Sequence, residues 1–485
     1  MFDQIIANAS TGGRTISGEA AVGEAELAAL QKSLTANYGT DVATLTGGSS
    51  LRIQSLDTTM QATIQDNEHF KLFNRLAKPS ATATVDEWTE QYSVGGFLGG
   101  STNVEDGAAM ETQGDYARMT GRVKYLMSYR KISMVLQAQN NIVSAEGVEA
   151  ANGAKQLLTD IEYLLWEGDE AVVPTEFSGL KAQLLGLNIT DNVVDMAGQP
   201  LNSVEPISLA AQTIFGFGNF GTPTDIFMSL ATQTDLNNEL DPAFRIALTA
   251  TPNAVSLGTH VGKIQTSYGA INTQQDVFIR DEPLMKPFEL RYPAVAAANI
   301  SFKPQAAVPV AATGPVNTLW GAAHAGNYYY GVAGINKNGQ SAVLVTAQVA
   351  VAASQKVTLT ITGSAAATET GYVIYRGRKN GTNAVADLRE MKRIPVTPGG
   401  TTVFVDLNTD IPGSTNAYVL NLKPSDHAIS WKQYLPMMKI PMAAVNSPII
   451  PWLQMICGYL RITKRRQHVL IKNIVPSAAI WKPFV

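Results

Sequence analysis

The sequence predicts an α+β protein with an all-β sandwich inserted into it. Apolar residues keep a helical period from about 147 to 167, which indicates one long amphipathic helix. Between about 305 and 420 the chain changes to short β-rich runs separated by Gly, Asn, Ser and Pro, a pattern typical of an immunoglobulin-type sandwich. From residue 428 the mixed character of the first half returns. An insertion into one host domain explains this order better than consecutive domains.

Composition narrows the class of protein. The 485 residues have room for about three domains of ~150 residues each. Charged residues make up only 16%, against ~25% in typical soluble domains, which favours an assembly subunit whose surface contacts protein. The net charge of −4 provides no basic field for nucleic acid or anionic lipid. Neither a signal peptide nor a membrane helix of ~18 apolar residues is recognisable, so we expect synthesis in a cytoplasm and no membrane.

The first element is an N-terminal arm. Residues 1–50 are rich in Ala, Gly, Ser and Thr, with one short helix predicted around GEAELAALQKSL. Too few of them are apolar to form a core, so this segment is expected to be an arm or a partly disordered leader. The following stretch, LDTTMQATIQDNEHFKLFNRLAK, has helical spacing.

A long two-stranded arm is predicted next. Residues 81–93 and 118–133 alternate as strands do, and a glycine-rich tip, 94–115, separates them. The second strand places Met119, Val123, Tyr125, Met127 and Tyr129 on one face. Opposite charges that would face each other across the pair are Asp86, Glu87 and Glu90 on one strand and Arg118, Arg122 and Lys124 on the other.

The hairpin needs a surface to lie on, because an isolated two-stranded hairpin is marginally stable. That surface could belong to another copy of the chain. We therefore predict an assembly interface made of the six charges above and the tip residues Phe97, Leu98, Gly99 and Gly100. Deleting 97–113 is expected to impair assembly and not folding.

The helix over 147–167 is predicted to end at Gly168, where a C-cap glycine is expected. Trp166, Gly168 and Asp169 mark the turn. Four carboxylates crowd here: Glu162, Glu167, Asp169 and Glu170. Glu162 lies opposite the apolar stripe in this pattern, which predicts a solvated side chain.

These carboxylates raise the question of an acid/base site. General acid/base chemistry needs a carboxyl group in an apolar cleft with a partner that shifts its pKa. Nothing near in sequence offers that partner, so a structural turn is favoured. A hydrolase that uses Glu167, Asp169 or Glu170 is the rival hypothesis.

Other motifs indicate little chemistry. GFGNFG (216–221) matches a dinucleotide fingerprint, but a helix-like segment precedes it and a strand-like one follows, the reverse of the required order. GTHVGK (258–263) is one residue short of a phosphate loop. The five histidines lack metal-ligand spacing, and Cys457 is expected to be a buried small apolar residue. No catalytic residue, cofactor or metal is predicted.

Two motifs leave alternatives open. ITKRRQH (462–468) is the one basic run; a hairpin turn is the simpler interpretation and phosphate contact the minor one. The tyrosines of the predicted sandwich could form a sugar-binding platform, but core and cross-strand positions are more typical. They are Tyr328, Tyr329, Tyr330, Tyr372 and Tyr375.

The order of these elements resembles the major capsid proteins of tailed double-stranded-DNA bacteriophages, which share the Hong Kong 97-type fold. Residues 46–92 look like the N-terminal arm leading into the extended loop of that family. AKQLLTDIEYLLWEGDE and PTEFSGL (154–180) resemble the spine helix and its turn, and FGNFGTPTDIFMS (217–229) the entry to the axial domain. QYLPMMKIPMA and CGYLRITKRRQHVLIKNI resemble the return strands of the peripheral domain.

The resemblance implies a domain division. It comprises an N-terminal arm (1–77), an extended β-hairpin loop (78–132), the spine helix with the first part of the peripheral domain (133–199), an axial domain (200–304), the inserted sandwich (305–420) and the return strands (421–485). The insert is expected to be peripheral and to project outward, so that a Gly/Ser linker in place of 312–418 leaves the host folded. In the insert, YYYGVAGINKNGQSA precedes GYVIYRG, the reverse of the usual fibronectin-type order.

The resemblance also implies a function. The chain would self-assemble as hexamers and pentamers of an icosahedral virion shell around double-stranded DNA, which it would contact non-specifically. Partners would be a separate scaffolding protein, because the leader looks too short for a fused one, together with a portal and cement or decoration proteins. Assembly would take place in the bacterial host cytoplasm. The alternative is a tail, baseplate or surface-adhesion protein that binds through the sandwich.

Overall fold

A computed structural model describes residues 69–138, 144–186, 192–239, 261–287, 301–444 and 447–484. The helices predicted for the leader before residue 69 lie outside the described residues, as does the first half of the GTHVGK segment, 258–260.

The described residues form an α+β fold, as predicted. Its helices are α1 (Lys71–Arg75), α2 (Met134–Ala138), α3 (Ala145–Glu167), α4 (Leu180–Leu185), α5 (Glu205–Phe215) and α6 (Leu230–Glu239). The host strands are β1 (Val85–Ser93), β2 (Asp115–Arg122), β3 (Lys124–Ser133), β4 (Val193–Asp195), β5 (Asp225–Met228), β6 (Lys263–Thr266) and β7 (Gly269–Gln275). The strands between residues 306 and 406 are β8 (Ala306–Thr313), β9 (Gly326–Tyr328), β10 (Tyr330–Asn336), β11 (Gly339–Gln340), β12 (Leu344–Val345), β13 (Val349–Val351), β14 (Gln355–Thr362), β15 (Gly371–Gly377), β16 (Leu388–Pro395) and β17 (Thr401–Asp406). The last are β18 (Thr415–Leu420), β19 (Ile429–Pro441), β20 (Ile449–Ile462) and β21 (Val469–Ile474).

The long helix α3 lies on a three-stranded antiparallel sheet of order β19–β20–β3. Ser144 caps the helix start, where its side-chain oxygen accepts a hydrogen bond from the Gly147 N–H. The apolar stripe of α3 is buried with Trp166, Phe177 and Trp431 in the largest core cluster.

The prediction of a single strand over 118–133 is wrong. The segment forms two strands: β2 pairs with β1, whereas β3 pairs with β20 along its whole length. Val123 joins them; its side chain is buried and its N–H donates to the Thr84 carbonyl. The hairpin arm therefore ends at residue 122, and β3 belongs to the host sheet.

A second sheet of six strands has the order β4–β21–β18–β5–β7–β6. Helix α5 packs the side chains Ile207, Ala210, Ala211 and Ile214 into its core. The central strand β18 lies within the range predicted for the sandwich, but it pairs with β5 and β21. Residues 415–420 are thus part of the host, and the host resumes earlier than the sequence suggested.

Strands β8 to β17 form two main sheets with their own core. One sheet is β17–β14–β8; the other is built on β10, β15 and β16, with β11 and β12 beside β10. Tyr328, Tyr330 and Tyr372 are buried in the core between them, and Tyr375 is buried on the opposite face of β15. The core interpretation is therefore correct for these four tyrosines. The two strands whose order departs from the fibronectin pattern, β10 and β15, are direct neighbours.

The insert does not simply project outward, because one of its faces packs against the host. Val172 and Val173, in the turn after α3, are buried against β10, β15 and β16. Gly371 makes this approach possible, since a Cβ there would lie 2.4 Å from a Val172 methyl carbon. The chain end adds a second contact, in which the Trp481 indole N–H donates to the Asp387 carbonyl at 2.8 Å.

Candidate assembly surfaces

The hairpin tip is the most exposed apolar segment of the described chain. Phe97 and Leu98 are 69% and 81% exposed, and Val94, Val104 and Met110 are similarly uncovered. Gly95 allows the two sides of the tip to approach, because it has φ +88° and a Cβ there would lie 2.3 Å from the Gln113 carbonyl oxygen. The tip thus presents apolar side chains that are left exposed in the part of the subunit that the structure describes.

The base of the hairpin lies on its own subunit. Asp86 accepts hydrogen bonds from the Tyr459 hydroxyl at 2.6 Å and from the Arg461 guanidinium at 3.1 Å. Glu90 pairs with Arg465 at 3.3 Å. Two predicted interface carboxylates therefore hold β1 against the end of β20 and the turn after it. The surface that the hairpin requires is supplied by the same chain, at least for β1.

The remaining charged residues of the predicted interface also form ion pairs within their own subunit. Glu87 and Arg118 form an ion pair across the hairpin, as the alternation predicted. Lys124 lies outside the hairpin, and its ammonium donates to Glu170 at 2.8 Å and to the Pro174 carbonyl. Arg122 lies 3.8 Å from the same Glu170 carboxylate. Glu170 is thus the point where the hairpin base meets the turn after α3.

The turn after α3 is structural. Gly168 ends the helix as predicted, but with extended backbone; a side chain is excluded because a Cβ would lie 2.5 Å from the Phe177 carbonyl oxygen. Trp166 is fully buried, with its ring 4.9 Å from that of Tyr418. Asp169 accepts the Ala171 N–H at 2.9 Å, and burial raises the pKa of this carboxyl group. Each marker residue of the turn has a packing or backbone role.

The prediction that Glu162 is solvated is wrong. Its side chain is 0% exposed, and its two oxygens accept the Leu72 and Phe73 N–H groups at 2.7 and 3.0 Å. Burial and the nearby carboxylate of Asp276 raise the pKa of Glu162 well above its usual value. Burial likewise raises the pKa of Asp276 to about 6. This pair ties the segment before the hairpin to the spine helix.

No sequence signal near Glu162 marked this contact. The two partners that bury it lie about 90 and 114 positions away (Leu72 and Asp276), so helical periodicity alone placed it on the solvent side. The arrangement can hold a backbone segment and share a proton.

Glu167 belongs to a buried ionic cluster and not to a hydrolytic site. Burial opposes its ionisation, but Lys181, 2.9 Å away, and Arg393 lower its pKa. In the same cluster Glu390 lies 2.5 Å from Arg280 and 2.8 Å from Arg393, and these two guanidinium groups hold its pKa well below the usual range. Carboxylates fixed in their ionised form by buried cations suit structural pairing and not proton transfer.

The outer face of the three-stranded sheet is a second apolar surface. Tyr125, Met127 and Tyr129 point away from α3, and each is 52–54% exposed. Met455 and Leu453 stand opposite Met127 and Tyr129 on β20 and continue the face. The sequence placed the three β3 residues on one face correctly, although it assigned them to the hairpin.

A third exposed surface is the GFGNFG loop. It joins α5 to β5, which confirms that helix precedes strand and excludes a dinucleotide site. Phe217 and Phe220 are 78% and 69% exposed, and their rings meet edge to face with 5.5 Å between centroids. Phe220 has φ +47°, a left-handed conformation that is strained for a bulky residue. The side-chain amide of Gln467 holds the loop in place, because it donates a hydrogen bond to the Asn219 carbonyl at 2.7 Å.

The remaining motifs have structural positions, as a turn or as buried side chains. The basic run forms a 3₁₀ turn, Arg465–Gln467, between β20 and β21, which belong to different sheets, so it is not a hairpin turn. Cys457 is buried, as expected. His468 is buried too, and burial lowers its pKa to about 4. Within the described ranges, no group of three or more His, Cys, Asp or Glu side chains could hold a metal ion, and no helix is long and apolar enough to cross a membrane.

Comparison with known proteins adds an independent observation. The chain is 26% identical over 471 residues to the protein named major capsid protein in Staphylococcus phage K, and equally to that of Staphylococcus phage S25-3. Each match covers 91% of this chain and 94% of the relative. A relative from Enterococcus phage phiEF24C is 24% identical over 462 residues. No protein-family model matches the chain.

Among solved structures, the chain is similar to the capsid of a native GTA particle, with a TM-score of 0.47 and 10% identity, covering 90% of this chain and 100% of that one. It is also similar to the capsid of Myoviridae phage XM1, with a TM-score of 0.43 and 9% identity over the same shares.

Proposed function

We infer that this chain is a major capsid protein of a tailed double-stranded-DNA bacteriophage, a structural subunit of the icosahedral virion shell. The observation that carries this inference is the match along 91% of the chain to phage proteins named major capsid protein. It confirms the resemblance predicted from the sequence. It favours a shell subunit over a tail, baseplate or adhesion protein, because the match spans host and insert alike.

The exposed apolar surfaces support assembly from many copies. The hairpin tip, the outer face of β3 and β20, and the GFGNFG loop each leave large apolar side chains uncovered, which in a soluble protein typically marks an interface. A tip on one subunit and a sheet face on the next make a heterologous contact, and such contacts close into rings. Hexamers and pentamers are the rings that an icosahedral shell requires, and the predicted interface residues at the tip, Phe97 to Gly100, would lie on the neighbour.

The partners follow from this role. The chain would assemble in the bacterial host cytoplasm with a separate scaffolding protein and a portal, and cement or decoration proteins would bind the finished shell. The net charge of −4 and the internal pairing of Arg465 support weak, non-specific contact with the packaged DNA. The role is structural, with no catalytic residue assigned.

Expression of the full chain with and without its scaffold, followed by electron microscopy, tests this function. Closed icosahedral particles or flat sheets of hexamers are expected. A stable monomer or a slender trimer under all conditions would refute the shell function. It would favour the alternative of a tail, baseplate or adhesion protein.

A further inference from the structure

The outer face of the β17–β14–β8 sheet is uncovered and almost without charge. Its strand register places the outward side chains in rows across the sheet: Ala306, Thr362 and Thr401; Val308, Thr360 and Val403; Val310, Thr358 and Val405; Ala312 and Lys356. The four valines are 41–56% exposed. Lys356, at one corner, is the only charged residue of this set.

Such a face is unusual for a sheet that meets water. Solvent-facing strands normally carry charged side chains, which keep sheets from associating. The inward positions between these residues, Val357, Leu359 and Ile361, are fully buried, so the alternation is real and both faces of the sheet are apolar. The Val and Thr face therefore has the composition of a surface that contacts another protein surface.

The insert is held so that this face points away from its own host. The other sheet, on β10 and β15, packs against Val172 and Val173. The ion pair between Arg389 and Glu282, both buried, and the Trp481 contact with Asp387 also join the insert to its own chain. Among the described residues, the host covers one side of the sandwich and leaves the valine face exposed.

We propose that this face pairs with the same face of the insert on a neighbouring subunit, as two sheets packed face to face. This rests on the proposed shell, which supplies the neighbour. Self-pairing is favoured because a face with one corner charge brings no like charges together, and flat sheets of β-branched side chains pack face to face at ~10 Å. Chemistries that need aromatic platforms or charged clamps have no residues here.

The area explains why such a contact would form only in the shell. Three strands about 4.8 Å apart and some seven residues long span roughly 300 Å² on each copy. Two copies would bury well under the ~1,200 Å² of a stable dimer. Subunits would stay apart in solution and pair when the shell holds many copies at high effective concentration.

Single-cysteine crosslinking tests the pairing, since Cys457, the only cysteine, is 0% exposed and gives no background. Thr358→Cys and Thr360→Cys shells are oxidised and run on non-reducing gels, with Val316→Cys as the control, a residue of the same insert that is 107% exposed and lies off the face. We expect at least ten-fold more covalent dimer from the two face positions. Equal yields, or no dimer from intact shells, would refute the pairing.

A charge variant adds a second measurement. Thr358→Lys/Thr360→Lys is expected to melt like Thr358→Ser/Thr360→Ser, because both side chains point to solvent in the subunit, but its shells should dissociate at lower denaturant concentration. Equal shell stability would contradict the proposal. Unmodified chain is imaged alongside: failure of that chain to form shells would refute the shell function itself, whereas normal shells without crosslinks refute the pairing alone.

Discussion

The hairpin arm and the inserted sandwich are both β-rich additions to the host, yet they are attached by different forces. The arm is held at its base by polar contacts, the ion pairs Arg465–Glu90 and Arg461–Asp86, whose arginine side chains are 15% and 21% exposed. The insert is held by the fully buried Val172 and Val173 and by buried ion pairs.

This difference indicates which part can move. Beyond this base the arm tip leaves Val94, Phe97 and Leu98 exposed, so the tip can be repositioned at little cost when subunits meet. Removing one partner of a buried ion pair costs about 3–5 kcal/mol, so the insert and host behave as one unit. An assembling subunit would use the arm tip for adjustment and the docked insert for rigidity.

The largest effect is expected from two deletions that differ by a few residues at each end. A Gly/Ser linker in place of 312–418 removes most of β18, the central strand between β5 and β21, so we expect no folded host. The same linker in place of 306–413 keeps β18 and should give a folded but destabilised host. Near-ultraviolet circular dichroism and thermal melting distinguish them; equal behaviour would show that β18 is not needed by the host.

A smaller effect is expected at the ionic cluster between insert and host. Glu390→Gln leaves the buried Arg280 and Arg393 without their shared carboxylate, and should lower the free energy of unfolding by about 3–5 kcal/mol. Lys392→Gln, on the same strand, breaks the more exposed pair with Asp410 and should cost about 1 kcal/mol or less. Chemical denaturation measures both; a Glu390→Gln cost no greater than the control would mean that the cluster does not fasten the insert.

The buried pair of Glu162 and Asp276 should make stability pH-dependent. Its folded pKa values are raised, so the folded state keeps a proton that the unfolded chain releases from about pH 4 upward. Stability from this pair is present below pH 4 and is lost as pH rises through about 6, the pKa of Asp276. Asp276→Asn keeps an acceptor for the Phe278 N–H and offers a permanent donor to Glu162, so we expect about 1–3 kcal/mol more stability at pH 8.

Asp426→Asn is the control of opposite sign. The Asn421 amide lowers the pKa of Asp426, so this carboxylate stabilises the fold at neutral pH and its loss should destabilise slightly. Melting curves from pH 4 to 8 compare the three chains. An Asp276→Asn slope equal to that of the unmodified chain would refute the shared proton.

The smallest effect on stability is expected at the arm tip. Deletion of 97–113 removes exposed side chains and should leave the melting temperature unchanged, while shells fail to form. Replacement of the same residues by Gly and Ser at equal length separates the apolar side chains from the reach of the loop. Normal shells from either variant would show that the tip does not join subunits.

Local patterns predicted those elements whose partners are near in sequence or whose period is long. The α3 helix, the Gly168 stop, the Glu87–Arg118 pair and the order of helix and strand around GFGNFG all follow from spacing within a few tens of residues. The break at Val123 was missed because both strands alternate in phase, so periodicity does not reveal a change of pairing partner.

By itself the sequence determined the α+β class, the long amphipathic helix, the exposed tip and the resemblance that identifies a shell subunit, because these depend on side-chain periodicity, composition and element order. Only the tertiary structure decided the burial of Glu162, the membership of β18 in the host sheet and the docking of the insert on Val172 and Val173. Each of these depends on a contact between segments about 90 or more residues apart. The free energy of such a contact depends on what the fold brings alongside, and that is not encoded in the local pattern on either side.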